Sequence, residues 1–433
     1  MKSWMGLGLG ALLGAGAAAG IVAAYGADDP DTYRQLALFG TALQKVRANY
    51  VEPVEDSKLM DNAIQGMVTS LDPHSSYMNA KAFNGDFQVT THGQFGGIGV
   101  VVQQDNDTIK VVSVTDGMPA AKAGIKAQDT ITAIDNTPLT GKDFNDQVDR
   151  MKGPVGTKLT LTVMREGVAQ PFTVSLTRAN ITVNATTSRR EGDIGYIRMP
   201  AFNEHTAEGL EQAVKDLNKT GAVKGYILDL RNNPGGLLDQ AVQVSDDLLT
   251  TGEIVSTRGR HSDDTQRYDA KSGDITGGKP IVVLINGGTA SASEIVAGAL
   301  KDHKRATIIG MTSFGKGSVQ TVLPLGEGRG ALRLTTARYY TPSGHSIQAL
   351  GITPDIQVAQ SDEDSGPRLL HYSEAELNGH LTGETRQAQG VQPVITPAPG
   401  KTYDDFQLAY ALDLLRGKMT VAAVTKMPPK KDE

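Results

Sequence analysis

The apolar run Ile281–Ile285 leads into Asn286-Gly287-Gly288-Thr289-Ala290-Ser291-Ala292-Ser293-Glu294. This order reads as strand, turn and helix start. Such a turn can present the Ser291 hydroxyl at a helix N-terminus, where free amides and the dipole favour developing negative charge. Taken alone, Ser291 with Glu294 three residues on reads more readily as a capping box. A second cluster changes the weighting: Ser313-Phe314-Gly315-Lys316-Gly317-Ser318-Val319-Gln320 sets one lysine between glycines. A lysine pressed against glycine backbone and an apolar sheet loses hydration, which disfavours the ammonium and lowers its pKa. Moving it from ~10.4 to about 7–8 takes roughly 3–5 kcal/mol of differential destabilisation. The resulting neutral amine can take the proton of a serine nucleophile. The spacing of four puts Gln320 on the same face as Lys316 in either a strand or a helix, where it can hold the amine in place. On an open loop the same lysine would simply be solvated. The third piece is Leu230-Arg231-Asn232-Asn233-Pro234-Gly235-Gly236-Leu237. Its adjacent glycines can aim amides at an oxyanion, although by itself it is only a permissive turn.

Other chemistries fit less well. The chain has eight histidines and no cysteine, so thiolate nucleophiles and thiolate metal sites are excluded. His303 falls near the end of the helix that Ser291 would start, about 18 Å away along the axis. His74 follows a helix stop and reads as a local hydrogen bonder. No His-Glu-x-x-His or similar ligand spacing occurs, so neither a catalytic metal nor a cofactor is expected. Ser293 would point elsewhere on a helix and reads as structural.

Apolar spacing predicts helices over Thr32–Tyr50 and Asp56–Leu71, the second stopped by Asp72-Pro73. Short β-rich runs follow at Ile98–Val102, Ile109–Val114, Thr130–Ile134, Lys158–Arg165 and Phe172–Leu176, interrupted by one helix over Gly141–Met151. From Ile194 strands and helices alternate: strands Gly195–Arg198, Gly225–Leu230, Ile281–Ile285 and Thr307–Gly310, and helices Thr206–Asn218, Leu237–Thr250 and Ser291–Lys301. That alternation indicates an α/β core. Gln360–Gly366 and Gln392–Gly400 read as linkers, Tyr403–Arg416 as a late amphipathic helix, and Pro428-Pro429 as the end of structure.

In the β-rich module, Phe95-Gly96-Gly97-Ile98-Gly99 precedes a strand and offers consecutive amides for a carboxylate. Pro119-Ala120-Ala121-Lys122-Ala123-Gly124-Ile125 then leads into Asp129-Thr130-Ile131-Thr132-Ala133-Ile134-Asp135. Together these resemble a PDZ domain of the bacterial protease type, over roughly residues 92–180. The pattern departs at Gln128, where such domains usually carry glycine. A PDZ domain takes an extended C-terminal tail by strand addition, its carboxylate held by loop amides. A small barrel that serves only as a spacer is the alternative.

The chain has 433 residues with 42 Lys plus Arg and 48 Asp plus Glu, a net charge of −6. That balance argues against nucleic acid as a partner. Trp4–Ala27 carries no charge and follows Lys2. It reads as an export signal, with Val22-Ala23-Ala24 suited to cleavage, or as a retained membrane anchor. Either way an extracytoplasmic location, such as the periplasm, is expected for the rest.

The three loops, the Leu71-Asp72-Pro73-His74-Ser75-Ser76-Tyr77 run and the PDZ-like module, taken in order from about Gln35 to Val358, resemble the carboxy-terminal processing peptidases, also called tail-specific proteases. The helix Asp404–Gly417 resembles that family's C-terminal segment. The resemblance implies a crotonase/ClpP-like α/β protease core with an inserted PDZ-like domain and helical N- and C-terminal segments. Its divisions here would be a signal or anchor (1–27), a helical region (31–91), the PDZ-like module (92–180), the core (181–360), and a linker with the C-terminal helix (361–433). It implies Ser291 as nucleophile, Lys316 as general base, Gln320 as its support, and the amides of Gly236 and Ala292 as the oxyanion hole. It further implies protein or peptide substrates with free C-terminal tails, and a homodimer or higher homo-oligomer. The need for an adaptor protein is left open. From a different class, a non-catalytic PDZ adaptor for exported protein tails is the rival reading.

Overall fold

The computed structural model describes residues 30–87, 91–105, 108–115, 117–140, 144–182, 185–271, 273–326, 328–361, 373–383, 393–398 and 401–418. The 1–27 segment, the start of the 141–151 helix, most of 360–366, the ends of 392–400 and Pro428-Pro429 lie outside these residues. The chain forms two compact units, Met1–Gly66 and Met67–Glu433. In the first, α1 (Pro30–Asn49) is followed by α2 (Asp56–Thr69), with Arg47 Nε 3.0 Å from Asp56 Oδ1. Leu36, Leu38 and Phe39 of α1 are exposed. No helix among the described residues is long and apolar enough to cross a membrane.

The second unit opens with β1 (Ser76–Met78) and β2 (Gln94–Gly97). A β-rich module follows: β3 (Val100–Asp105), β4 (Thr108–Val114), α3 (Pro119–Lys122), β5 (Thr130–Ile134), β6 (Thr137–Pro138), α4 (Phe144–Met151), β7 (Lys158–Met164) and β8 (Phe172–Thr177). Its sheet runs β3-β4-β5-β7-β8 with β6 on β5. Alternating apolar residues such as Leu159, Leu161 and Val163 fill one face, as expected of an antiparallel sheet that is dry on one side. The next strand, β9 (Ala179–Thr182), pairs antiparallel with β2. The chain thus enters and leaves the module through one ladder, which lets it sit as an insertion. Gln128 adopts φ 71 and its amide donates to the Val111 carbonyl at 2.8 Å; the turn usually given to glycine forms here with a side chain.

The core comprises β10 (Thr187–Glu191), β11 (Ile194–Arg198), α5 (Thr206–Asn218), β12 (Gly225–Asp229), α6 (Leu238–Asp246), β13 (Gly252–Gly259), β14 (Gln266–Ala270), β15 (Ile281–Ile285), α7 (Ala292–Asp302), β16 (Ala306–Gly310), β17 (Ser318–Pro324), β18 (Ala331–Tyr340), β19 (Ile356–Gln357) and α8 (Phe406–Leu415). One sheet runs β10-β11-β12-β15-β16-β19 and is parallel except at β10. Helices α5, α6 and α7 pack on one face around Leu228, Val283 and Ile308. Helix α8 covers the other face through Phe406 and Tyr410 against Ile227 and Leu284. Every residue of β12 and β15 is buried. Burial on both sides is why these strands read as unbroken apolar runs.

A second sheet, β1-β18-β13-β14 with β17 on β18, is antiparallel throughout. The sequence reading places no strand in 252–270 or 318–340. The reason is visible in β18, where a run of half-buried positions that includes Arg333 and Arg338 breaks the two-residue alternation. The helix expected over Leu237–Thr250 stops at Asp246.

Candidate active site

The three loops singled out in the sequence leave the carboxyl ends of three adjacent parallel strands, β12, β15 and β16. In open α/β sheets this edge is where ligands bind. Side chains lace the first two loops together. Thr289 Oγ1 donates to the Leu230 carbonyl (2.8 Å), Asn286 Nδ2 to Asn232 Oδ1 (2.9 Å) and the Ala290 amide to the Asn233 carbonyl (2.9 Å). Ser293 Oγ donates to the same Asn233 carbonyl at 3.0 Å, a structural bond as its position suggests. The third loop is tied in by the Phe314 amide, which donates to the Thr289 carbonyl at 3.0 Å.

Ser291 sits at φ 56, ψ −116, a region that non-glycine residues rarely occupy and that marks strained functional turns. Glu294 caps the turn from its own side: the Ser291 amide donates to Glu294 Oε2 and the Glu294 amide to the Ser291 main-chain carbonyl, each at 2.8 Å. Capping and presentation of the hydroxyl therefore coexist. The side chain of Ser291 faces the buried Tyr339 phenol, whose pKa burial pushes up against the influence of that serine. Glycine is required opposite it. A Cβ on Gly235, at φ 97, would lie 2.7 Å from the Ala290 carbonyl oxygen and 2.8 Å from Ser291 Cβ. A Cβ on Gly236 would overlap the Phe202 carbonyl. Among the described residues the amides of Gly236 and Ala292 have no acceptor, so both stay available to a ligand oxygen.

Glu294 is fully buried and joins the serine to the lysine. Its Oε1 accepts from Ser313 Oγ (2.5 Å) and the Gly315 amide (2.8 Å), and its Oε2 from the amides of Ser291 (2.8 Å) and Lys316 (2.9 Å). Burial pushes its carboxyl up to about 7 against the pull of these four bonds. Burial pushes the Lys316 ammonium down to about 8, aided by the charge of Arg333 and opposed by Glu374, Glu294 and Asp72. That is the range in which a lysine can serve as a base near neutral pH.

Gln320 lies in β17, past a bulge between Val319 and Gln320. Its Nε2 donates to Ser318 Oγ (2.9 Å) and Thr335 Oγ1 (3.1 Å). No hydrogen bond joins it to Lys316 among the described residues. Thr335 is held in turn by Asp72 and Ser75 of the Asp72-Pro73-His74-Ser75 turn. Phe95, Gly96 and Gly97 lie in β2, paired with β9, while Ile98 and Gly99 follow it and accept from the amides of Ala120 and Thr115. A cavity of about 650 Å³ opens beside Phe95 and Gly96, with Lys81 and Lys152 on its wall. His303 Nε2 bonds the Glu253 carbonyl at 2.6 Å, far from the nucleophile. His74 reaches farther than a local role: its Nε2 lies 2.7 Å from Glu374 Oε2. Sequence reasoning missed Tyr339 and Glu374, and it read Glu294 only as a cap. Glu294 carried a signal, its place in the capping box; the other two lie in segments without a motif.

Residues 193–358 match peptidase family S41, 96–176 the PDZ domain, and 18–82 the activating protease CtpB N-terminal domain. The chain is 53% identical to a carboxy-terminal-processing protease of Bartonella bacilliformis, over 93% of each chain. It is 38% identical to the carboxy-terminal processing protease CtpA of Bacillus subtilis, covering 76% of this chain and 70% of that one. Among solved structures, a photosystem II D1 C-terminal processing protease is 33% identical, with 73% of this chain and 86% of that chain covered and a TM-score of 0.44. An α/β core whose serine and lysine loops share one sheet edge, joined to a PDZ domain, is thus matched along nearly its whole length, and the chain belongs to the carboxy-terminal processing proteases, serine peptidases of family S41.

Proposed function

We propose that this peptidase cleaves exported proteins near their C-terminal tails with a Ser291–Lys316 dyad. The observation that carries the reading is the fully buried Glu294 carboxylate, which binds the amides of both Ser291 and Lys316 and so fixes nucleophile and base to one point. Neutral Lys316 Nζ takes the Ser291 proton as Oγ attacks the scissile carbonyl. The oxyanion settles on the open amides of Gly236 and Ala292, at the start of α7 where the helix dipole adds to them. Lys316 then passes its proton to the leaving amine, and water, deprotonated by the same lysine, hydrolyses the acyl-enzyme. Gln320 braces the strand behind the base through Ser318 and Thr335.

The PDZ domain would hold the substrate tail, its carboxylate at the Phe95–Gly99 segment. Exposed apolar residues on α1 suit a second copy of the chain, and the uncharged 4–27 stretch suits export or anchoring. The test is cleavage of an unstructured peptide tail by wild type, Ser291→Ala and Lys316→Ala. Both variants should lose at least about 10³-fold in kcat/KM. If all three cleave alike, the dyad is wrong. If none cleaves and all bind the tail, the non-catalytic adaptor is the better reading. Gly97→Trp, which crowds the tail-binding segment, should weaken cleavage of tailed substrates selectively.

A further inference from the structure

Lys316 is approached from outside the matched peptidase region by Ser373–Gly383, a segment whose grip on the lysine loop has a definite geometry. The Glu374 amide donates to the Phe314 carbonyl at 3.0 Å, two residues before Lys316. Its Oε1 accepts from Gln348 Nε2 at 2.9 Å, and Gln348 Oε1 accepts from the Gly317 amide at 3.1 Å, one residue after Lys316. Its Oε2 meets His74 Nε2 at 2.7 Å. Gln348 Nε2 also donates to the Leu381 carbonyl at 3.0 Å, closing the segment onto the loop. Glu374 and Gln348 are both fully buried. The lysine loop is therefore held on one side by Glu294 and on both flanks by Glu374.

We infer that Glu374, oriented by His74 and Gln348, is a positioning residue for Lys316. Its clamp sets where the amine lies, and its carboxylate sets the charge the amine feels. The inference rests on the Ser291–Lys316 reading. The carboxylate is suited to the task. Burial alone would raise its pKa, yet the bonds from His74 and Gln348, with the charge of Lys316, hold it below the usual carboxylate range. The charged groups around Lys316 are Arg333, Glu374, Glu294 and Asp72. Arg333 favours the neutral amine and the three carboxylates favour the ammonium, so neutralising Glu374 must make Lys316 easier to deprotonate. A purely structural glutamate would leave that titration alone.

The experiment follows the rate at which a fluorophosphonate labels Ser291 in the full chain, across pH, alongside steady-state cleavage of a peptide tail. In wild type, labelling should rise with pH as Lys316 loses its proton, and Lys316→Ala should abolish that rise. Glu374→Gln keeps the side-chain volume and can still bond His74. It should move the rise about half a pH unit or more toward acid. Its kcat should fall about tenfold with KM nearly unchanged, as expected for a misplaced base. His74→Gln, which retains a donor near the position of Nε2, should track wild type, whereas His74→Ala should lower kcat as Glu374→Gln does but show no acid shift of the rise, because the Glu374 carboxylate keeps its charge. Thermal unfolding separates variants that fail to fold. If Glu374→Gln folds and both its labelling profile and its kcat match wild type, Glu374 does not position the base. If wild-type labelling shows no rise, or the rise survives Lys316→Ala, it is the dyad itself that fails.

Discussion

The serine side and the lysine side of this site are built on different plans. Ser291 follows a fully buried parallel strand, takes a strained turn and starts a helix, all within about a dozen residues, and that turn is laced to the neighbouring Leu230–Gly235 loop. Lys316 lies where the chain leaves the parallel sheet at Gly310 and joins the antiparallel one at Ser318. Its loop is held by Glu294, Gln348 and Glu374, and its amine feels Asp72 and Arg333. A nucleophile needs one exposed atom on a rigid elbow, which backbone geometry can supply. A lysine base needs a dry pocket with a tuned charge balance, and several distant segments must converge to build one.

The largest expected effect comes from removing the lysine. Lys316→Met should lower kcat/KM by about 10³–10⁴-fold while making the protein more stable at pH 7 by roughly 2–3 kcal/mol. The sign follows from titration. The ammonium deprotonates at about 8 when folded and near ~10.4 when unfolded. Below pH 8 both states are charged and the folded state bears the full cost of burial. From pH 8 upward the unfolded state binds more protons, so wild type gains stability and the advantage of the variant shrinks. Chemical denaturation at pH 7 and pH 10 measures this. A difference independent of pH would mean that Lys316 is not desolvated.

On the serine side the corresponding fault is a backbone one. Gly235→Ala puts a methyl 2.8 Å from Ser291 Cβ and 2.9 Å from the Ala292 amide nitrogen, at φ 97. It should cost about 2–3 kcal/mol of stability and about 10²-fold in kcat. Its defect should not depend on pH, unlike that of Glu374→Gln. A pH-dependent loss would show that the elbow and the base are one unit.

The same contrast sets how much was readable in the sequence. The buried parallel strands announce themselves as apolar runs, and the glycine and serine motifs at their ends mark turns, so the α/β core, the β-rich module and all three loops were legible. The antiparallel sheet was not, because β17 and β18 are half-buried and carry polar residues on both faces. With it went the reasoning about Gln320. A spacing of four implies a shared face with Lys316 in regular structure, but Lys316 precedes β17 and a bulge intervenes before Gln320. His74 and Glu374, 300 residues apart in the chain yet hydrogen-bonded at 2.7 Å, could not be paired from spacing at all. Long-range polar contacts leave no periodic trace.

The smallest effect is the sharpest test of the contrast. The Tyr339 phenol faces the Ser291 side chain, and its own amide donates to the Gly317 carbonyl at 2.7 Å, so it touches both sides of the site. Tyr339→Phe deletes the hydroxyl that faces Ser291 and leaves the amide bond to the lysine loop in place. If the turn itself positions the serine, losing that hydroxyl should change kcat/KM by less than about tenfold, the scale of about 0.5–1.5 kcal/mol for one neutral hydrogen bond. The pH profile should stay where it is in wild type, because no charge near Lys316 has changed. A loss beyond about a hundredfold would mean that Ser291 depends on a distant side chain as heavily as Lys316 does, and the two sides of the site would then share one plan.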